Sequence, residues 1–164
     1  MKLSNFDIDF IKFNNEIDVF DFKLNNLFFG LKENSLYNNC NLLVKVNCEK
    51  KEGTIKLNYT INGTVYTECE RCLEDIEIEI NPTTEEVIRL TSNADLLATE
   101  YYLSASHQVY NVYDTIYEQI CIAMPLRKIC KNSKTKKKCE LTYTNSEDDK
   151  PADDRWEKLK NLIK

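Results

Sequence analysis

Apolar residues recur at every second position through most of the stretch from residue 40 to residue 90. Leu42, Val44, Val46 and Cys48 fall on one face of an extended chain, and Lys50-Lys51-Glu52-Gly53 then reads as a turn. Ile55, Leu57, Tyr59, Ile61 and Val65 alternate next, passing straight across Asn62-Gly63. Asn-Gly is a hairpin signal. The phase of the alternation holds through it, so the pattern predicts a bulge or bend within one long strand. Ile76, Ile78 and Ile80 alternate again, and Val87, Ile88 and Leu90 follow Pro82. The period predicts a meander of three or four antiparallel strands. Before it, Phe6, Ile8 and Phe10 alternate, Ile17 to Leu24 reads as extended, and Leu27-Phe28-Phe29 reads as a short helical turn.

Beyond a loop expected at 91–99, Tyr101 to Leu103 and Gln108 to Tyr110 read as short strands. The period then changes. Val112, Ile116 and Ile120 form one helical row, and Tyr113, Tyr117 and Cys121 form the next, predicting a helix over 111–124. Asn111 is placed to cap it, with Asp114 at the third helical position, and Pro125 limits its extent. Residues 126–152 are polar and without period. Asp153-Asp154-Arg155-Trp156 opens a last helix over 153–164, with Trp156, Leu159, Leu162 and Ile163 on its apolar stripe. The fold class is thus α+β, an antiparallel meander or partly closed barrel with one main helix and a short C-terminal helix. Three stretches follow: a β core with its helix at 1–125, a polar segment at 126–152, and the terminal helix.

No window holds 18 consecutive apolar residues, and Met1 to Asn14 lacks the charged head and apolar run of a signal peptide. A cytoplasmic protein is expected, with no membrane partner. In that compartment the seven cysteines are buried, metal-bound or redox-active rather than a disulfide framework. Phase sorts them. Cys48 and Cys121 continue apolar faces and read as core, where a free thiol packs as a small hydrophobe. Cys40 stands at a strand start without partner spacing and reads as core or incidental.

Cys69-Glu70-Arg71-Cys72 falls at the predicted tip of a hairpin, and Cys130 and Cys139 lie in the polar segment, where core packing gives them no role. A C-x2-C with a distant second pair has the donor set of a Cys₄ zinc site, here one structural ion. The alternative is a tip pair acting alone as a redox or vestigial motif. A redox pair usually opens a helix in a thioredoxin-like unit, and this one joins two strands. Four thiolates would close the metal's tetrahedron and leave no position for substrate.

Charge adds a second candidate. The formal net charge is −5, yet residues 127–138 hold seven cations and no acid, while 147–154 hold five acids and one lysine. Arg71, Arg127, Lys128, Lys131, Lys134, Lys136, Lys137 and Lys138 are therefore candidate phosphate contacts on RNA. Against that stands a solvated loop enriched by codon drift, since lysine outnumbers arginine 18 to 4 and asparagine occurs 18 times. No aromatic residue is interleaved, so base stacking from this segment has no support. His107 is the only histidine, and Ser104 and Ser106 near it do not form a nucleophile elbow. Three glycines in the whole chain disfavour phosphate-cradling loops. No catalytic residue is expected.

In this order the features resemble the YceD-like family, the large ribosomal RNA subunit accumulation proteins of bacteria and plastids. The matching residues are Gly63-Thr64-Val65, Cys69 to Glu74, the helix Tyr113 to Pro125 with Leu126-Arg127 after it, and Asp154 to Leu159. The chain departs from the family in having Asp153-Asp154 where Asp-Pro is common, and no Gly-rich cysteine cluster after the long helix. The resemblance implies a non-enzymatic cytosolic factor for accumulation of large-subunit (23S) ribosomal RNA. Its expected partners are that RNA or a ribosomal precursor particle, and ribosomal or assembly proteins, with no DNA. Trp156 and Arg155 would anchor the last helix to the core or to a partner. A zinc-stabilised protein-interaction module without RNA contact is the alternative, and a thiol oxidoreductase the third reading.

Overall fold

The computed structural model describes residues 1–12, 17–51, 53–93, 102–104, 106, 109–130 and 139. Three strands make the frame: β2 (Ile17–Leu24), β3 (Asn39–Lys51) and β4 (Thr54–Glu68), each antiparallel to the next. β3 and β4 pair without a break from Lys51↔Thr54 to Asn39↔Tyr66, turning over at Gly53, which holds φ +75°. Asn62-Gly63 does not interrupt the ladder, so the sequence's Asn-Gly is neither a hairpin nor a register-shifting bulge. Gly63 sits at φ +142° within the continuous strand, where an added Cβ would collide with the Asn41 carbonyl oxygen of the neighbouring strand.

The far side of β4 is shared by β5 (Asp75–Ile80) and β6 (Thr83–Thr91). Gly63↔Ile80 and Thr60↔Thr83 bracket the gap between them, with two residues intervening on each strand, so the register is the same on both sides. β5 and β6 are therefore two halves of one strand. Pro82 interrupts it because it has no N–H to give, although its carbonyl still accepts from the Ile61 N–H at 3.0 Å. β7 (Tyr102–Ser104) adds in parallel to β6, giving the order β2-β3-β4-β6-β7. β1 (Asp7–Asp9) and β8 (Val109–Asn111) form a separate two-stranded ladder.

The expectation of a partly closed barrel is not met: the sheet is open. With β5 and β6 in line, it is only five strands wide, and among the described residues β2 and β7 stand at opposite edges without pairing. One face is dry. Leu42, Val44, Val46 and Cys48 of β3, Leu57, Tyr59 and Ile61 of β4 and Ile76 and Ile78 of β5 are all buried there, as the period of two requires. Cys40 is buried with them.

That face is covered by α1 (Asn26–Phe29), by α2 (Tyr113–Ala123) and by a 3-10 turn at Leu3–Phe6. An aromatic cluster joins them. Phe6 stacks on Phe22 of β2 at 5.4 Å, Phe28 lies 4.9 Å from the Tyr113 ring, and the Tyr113 hydroxyl donates to the Phe28 carbonyl at 3.2 Å. α2 starts two residues later than the period suggested because Asn111 belongs to β8, opposite Asp7. Its side-chain oxygen still accepts the Tyr113 N–H at 2.9 Å. Cys121 is half-buried at the margin of the apolar stripe rather than within the core. A second tie holds α2 to the sheet. Glu86 of β6 accepts hydrogen bonds from Tyr59 at 2.7 Å, Tyr110 at 2.6 Å and Thr115 at 3.4 Å, linking β4, β8 and α2.

Candidate metal centre

The hairpin between β4 and β5 carries the two thiols of its C-x2-C at its tip. The Cys69 N–H donates to the Glu74 carbonyl at 2.8 Å and the Leu73 N–H to the Cys69 carbonyl at 2.9 Å, closing a tight turn. Leu73 takes φ +60°, a left-handed conformation that turns the chain sharply. Its side chain is left in solvent, 73% exposed. Cys69 faces inward from the end of β4, fully buried, and Cys72 is exposed.

The second pair arrives from beyond α2. Met124 leaves the helix in an extended conformation, as expected before Pro125, and the chain then crosses the hairpin tip. The crossing is held by a two-point clamp: the Glu70 N–H donates to the Lys128 carbonyl at 2.7 Å, and the Lys128 ammonium meets the Glu70 carboxylate at 2.9 Å. The same ammonium lies 6.0 Å from the centre of the Tyr37 ring. Lys128 therefore holds the Glu70 carboxyl below the ordinary carboxylate range, and Glu70 raises the Lys128 ammonium in return. Cys130 is delivered fully buried behind the tip. Cys139 returns to the same place, its carbonyl accepting from the Arg71 guanidinium at 3.0 Å.

All four sulfurs lie within 4.8 Å of one another. Cys72 is 3.4 Å from Cys130, and Cys69 is 3.9 Å from Cys139. These separations are too long for disulfides, whose sulfurs stand about 2.05 Å apart. A tetrahedral ion with metal–sulfur bonds of about 2.3 Å would place its sulfurs about 3.8 Å apart. The cluster is close to that size, and its all-sulfur donor set suits zinc. The four cysteines could hold a metal ion. Electrostatics point the same way. Burial pushes the Cys69 thiol up, but the N–H groups of Cys72 and Arg71 and the neighbouring thiols outweigh it and bring it down to about 6. Cys130 is pushed up, by its contact with Cys72 first and by burial second. Cys69 thus loses its proton more readily than an isolated thiol, and metal binding would take the proton from Cys130 as well.

The structure thus brings together the four cysteines singled out by phase. It treats the cations less uniformly. Arg71 and Lys128 each hold a partner at the tip, with Lys128 half-buried and Arg71 exposed, and Arg127 is exposed as well. Lys131, Lys134, Lys136, Lys137 and Lys138 lie outside the described residues, as do His107, the acidic run at 147–154 and the terminal helix with Arg155 and Trp156. Ser104 and Ser106 hydrogen-bond each other at 2.9 Å. Two features were not anticipated. One is the Glu70–Lys128 clamp, which joins residues too far apart in sequence to be paired by spacing. The other is an acidic flank that starts at the tip with Glu68, Glu74 and Asp75 and runs along β5 through Glu77 and Glu79. The alternating acids of Asp75-Ile76-Glu77-Ile78-Glu79 were its visible signal.

Comparison with known proteins gives one match. The family model described as "Large ribosomal RNA subunit accumulation protein YceD" covers residues 57–163, from near the start of β4 through the hairpin tip, α2 and both cysteines beyond it. No curated protein and no solved structure matches the chain.

Proposed function

The chain belongs to the family of the large ribosomal RNA subunit accumulation protein YceD, and we propose that it is a non-catalytic factor in the accumulation of large-subunit ribosomal RNA. The observation that carries this reading is the hairpin tip: four thiols from two distant segments converge there within 4.8 Å of one another, the donor set of a closed metal shell. A site of that kind fixes a surface and offers no open coordination position for a reaction. Cys69, Cys72, Cys130 and Cys139 would hold one zinc ion, which would supply a cross-link between the tip and the segment after α2. Glu70, Arg71 and Lys128 align the two segments.

Co-sedimentation of the tagged protein with large-subunit precursor particles or free large-subunit RNA tests the reading, together with the RNA level on depletion. Absence from both fractions with normal RNA levels overturns it. The metal is tested separately. One zinc per chain is expected in the purified protein, lost in a Cys69→Ser/Cys72→Ser variant. A reduced, chelator-free preparation without metal would reject the ion.

On this reading Arg127, Lys131, Lys134 and Lys136 to Lys138 contact phosphates. A second reading, a protein-interaction module without RNA contact, is favoured by the acidic flank and by the engagement of Arg71 and Lys128 at the tip. The facing carboxylates of Glu68 and Asp75 at the base of the tip would oppose a polyanion. Salt dependence separates the two. Replacing Lys134 and Lys136 to Lys138 with glutamine should weaken an RNA binder and flatten its salt slope by up to about 3. A protein adaptor would bind as before. The cytoplasm, where ribosomes are assembled, is the compartment this role requires.

A further inference from the structure

The four sulfurs are not equivalent. Cys69 and Cys130 are fully buried, Cys139 is half-buried, and Cys72 is exposed. They also fall into two close pairs, Cys72 with Cys130 at 3.4 Å and Cys69 with Cys139 at 3.9 Å. Each pair takes one sulfur from the hairpin tip and one from the segment beyond α2. We propose that the cluster is a hydroperoxide-reactive site, in which Cys72 is the attacking sulfur and Cys130 the resolving one, so that oxidation releases the metal while keeping the tip joined. The thiol chemistry stands on the sulfur geometry alone, and only the metal release rests on the zinc reading above.

A hydroperoxide must approach its nucleophile from solvent, and Cys72 presents the open sulfur. Its thiolate attacks the terminal oxygen of ROOH; the O–O bond breaks, and RO⁻ leaves and is protonated to ROH. The product is a sulfenic acid at Cys72. The Cys130 thiolate, 3.4 Å away, then attacks the Cys72 sulfur. The S–O bond breaks, hydroxide leaves and is protonated to water, and a Cys72–Cys130 disulfide forms. Two thiols are oxidised and one hydroperoxide is reduced. A second hydroperoxide does the same for Cys69 and Cys139. Closing either pair requires the sulfurs to approach to about 2.05 Å.

The pairing decides the consequence. A disulfide between Cys69 and Cys72 would stay within the tip and release the crossing segment. A disulfide between Cys72 and Cys130 replaces the metal's cross-link by a covalent one at the same place. The Glu70–Lys128 clamp needs no rearrangement. What changes is charge: a tetrathiolate zinc centre carries two negative charges, and two disulfides carry none. Oxidation would therefore make the hairpin tip less negative without dismantling it.

The test treats the zinc-loaded full chain with hydrogen peroxide at neutral pH. Zinc release is followed with a metallochromic dye, and disulfides are mapped by non-reducing peptide mass spectrometry. Alkylation by iodoacetamide before oxidation gives the order of thiol reactivity. Cys72 should alkylate first, Cys72–Cys130 should be the first disulfide, and one zinc should leave per chain. Limited proteolysis of the oxidised protein should match that of the reduced one. A first disulfide between Cys69 and Cys72, or faster alkylation of any other cysteine, overturns the proposal. If the protein purifies without metal, the zinc reading fails by itself, and the Cys72–Cys130 disulfide still decides the thiol chemistry. Cys139→Ser leaves the reacting pair intact and should still form Cys72–Cys130, whereas Cys130→Ser should accumulate a sulfenic acid at Cys72 trapped by dimedone.

Discussion

A side chain at Gly63 would meet the Asn41 carbonyl oxygen across the ladder, and φ +142° is a conformation that residues with a Cβ rarely adopt. Gly63→Ala should therefore cost about 3 kcal/mol or more in urea denaturation. Gly53→Ala is the control: it meets nothing within 4 Å at φ +75° and should cost about 1 kcal/mol. Buried acids make a second prediction at this scale. Burial pushes the Cys40 and Cys48 thiols up to about 12 from 9.0, Tyr113 up to about 12 from 10.0, and Tyr59 upward as well. Above about pH 9 the unfolded chain loses these protons while the native chain keeps them. The native state then binds more protons, so stability falls as pH rises, and below pH 9 these groups contribute no slope. Tm should be flat in this respect from pH 7 to 9 and decline towards pH 11. Cys40→Ala/Cys48→Ala should remove the part of the decline that begins near pH 9. Much of this was legible beforehand: strand phase placed Cys48 in the core and set Cys69, Cys72, Cys130 and Cys139 apart. The exposure of Cys72 alone among them was not, because it depends on which segment crosses the tip.

At the scale of elements, period set strand and helix identity, and pairing had to come from three dimensions. Nothing local in Ile76 to Leu90 says that β5 and β6 are halves of one strand. That follows from both facing β4 in one register. Openness of the sheet was equally illegible, since closure depends on whether two distant edges meet. Pro82 allows a direct check. Pro82→Thr restores a ladder N–H worth about 1 kcal/mol, but it frees the unfolded chain by a comparable amount. The net change in stability should be within about 1 kcal/mol, with new amide protection at position 82 in hydrogen exchange. The aromatic cluster is a different case, because Phe28 of α1 touches both α2 and the N-terminal turn. Phe28→Ala should cost about 3–5 kcal/mol and loosen α2 from the sheet.

For the whole molecule, the four cysteines lie where the hairpin tip meets the segment after α2, a junction also held by the Glu70–Lys128 clamp and by packing of Ile129 and Cys130 against the core. If the four cysteines hold an ion as proposed, its chelation should cost about 3 kcal/mol, or roughly 6–12 °C in Tm, and expose the Leu126–Cys130 stretch to protease. Among the described residues no helix is long and apolar enough to cross a membrane. The family was legible from the Cys69–Glu74 block, and the match from 57 to 163 bears that out. The N-terminal strands outside that match are nonetheless structural partners of the part within it. β1 pairs with β8, Asp7 facing Asn111, and the Phe6 carbonyl accepts the Val112 N–H at 3.0 Å. This arrangement imposes an order on synthesis. The β2–β3–β4 ladders are complete once residue 68 has been made, but β1 must wait for residue 111 to find its partner strand. Closing so long a loop costs about 4 kcal/mol of chain entropy if nothing has folded between. The meander, by folding first, brings the two ends near each other and removes much of that cost. β1 is thus among the last strands to find its place.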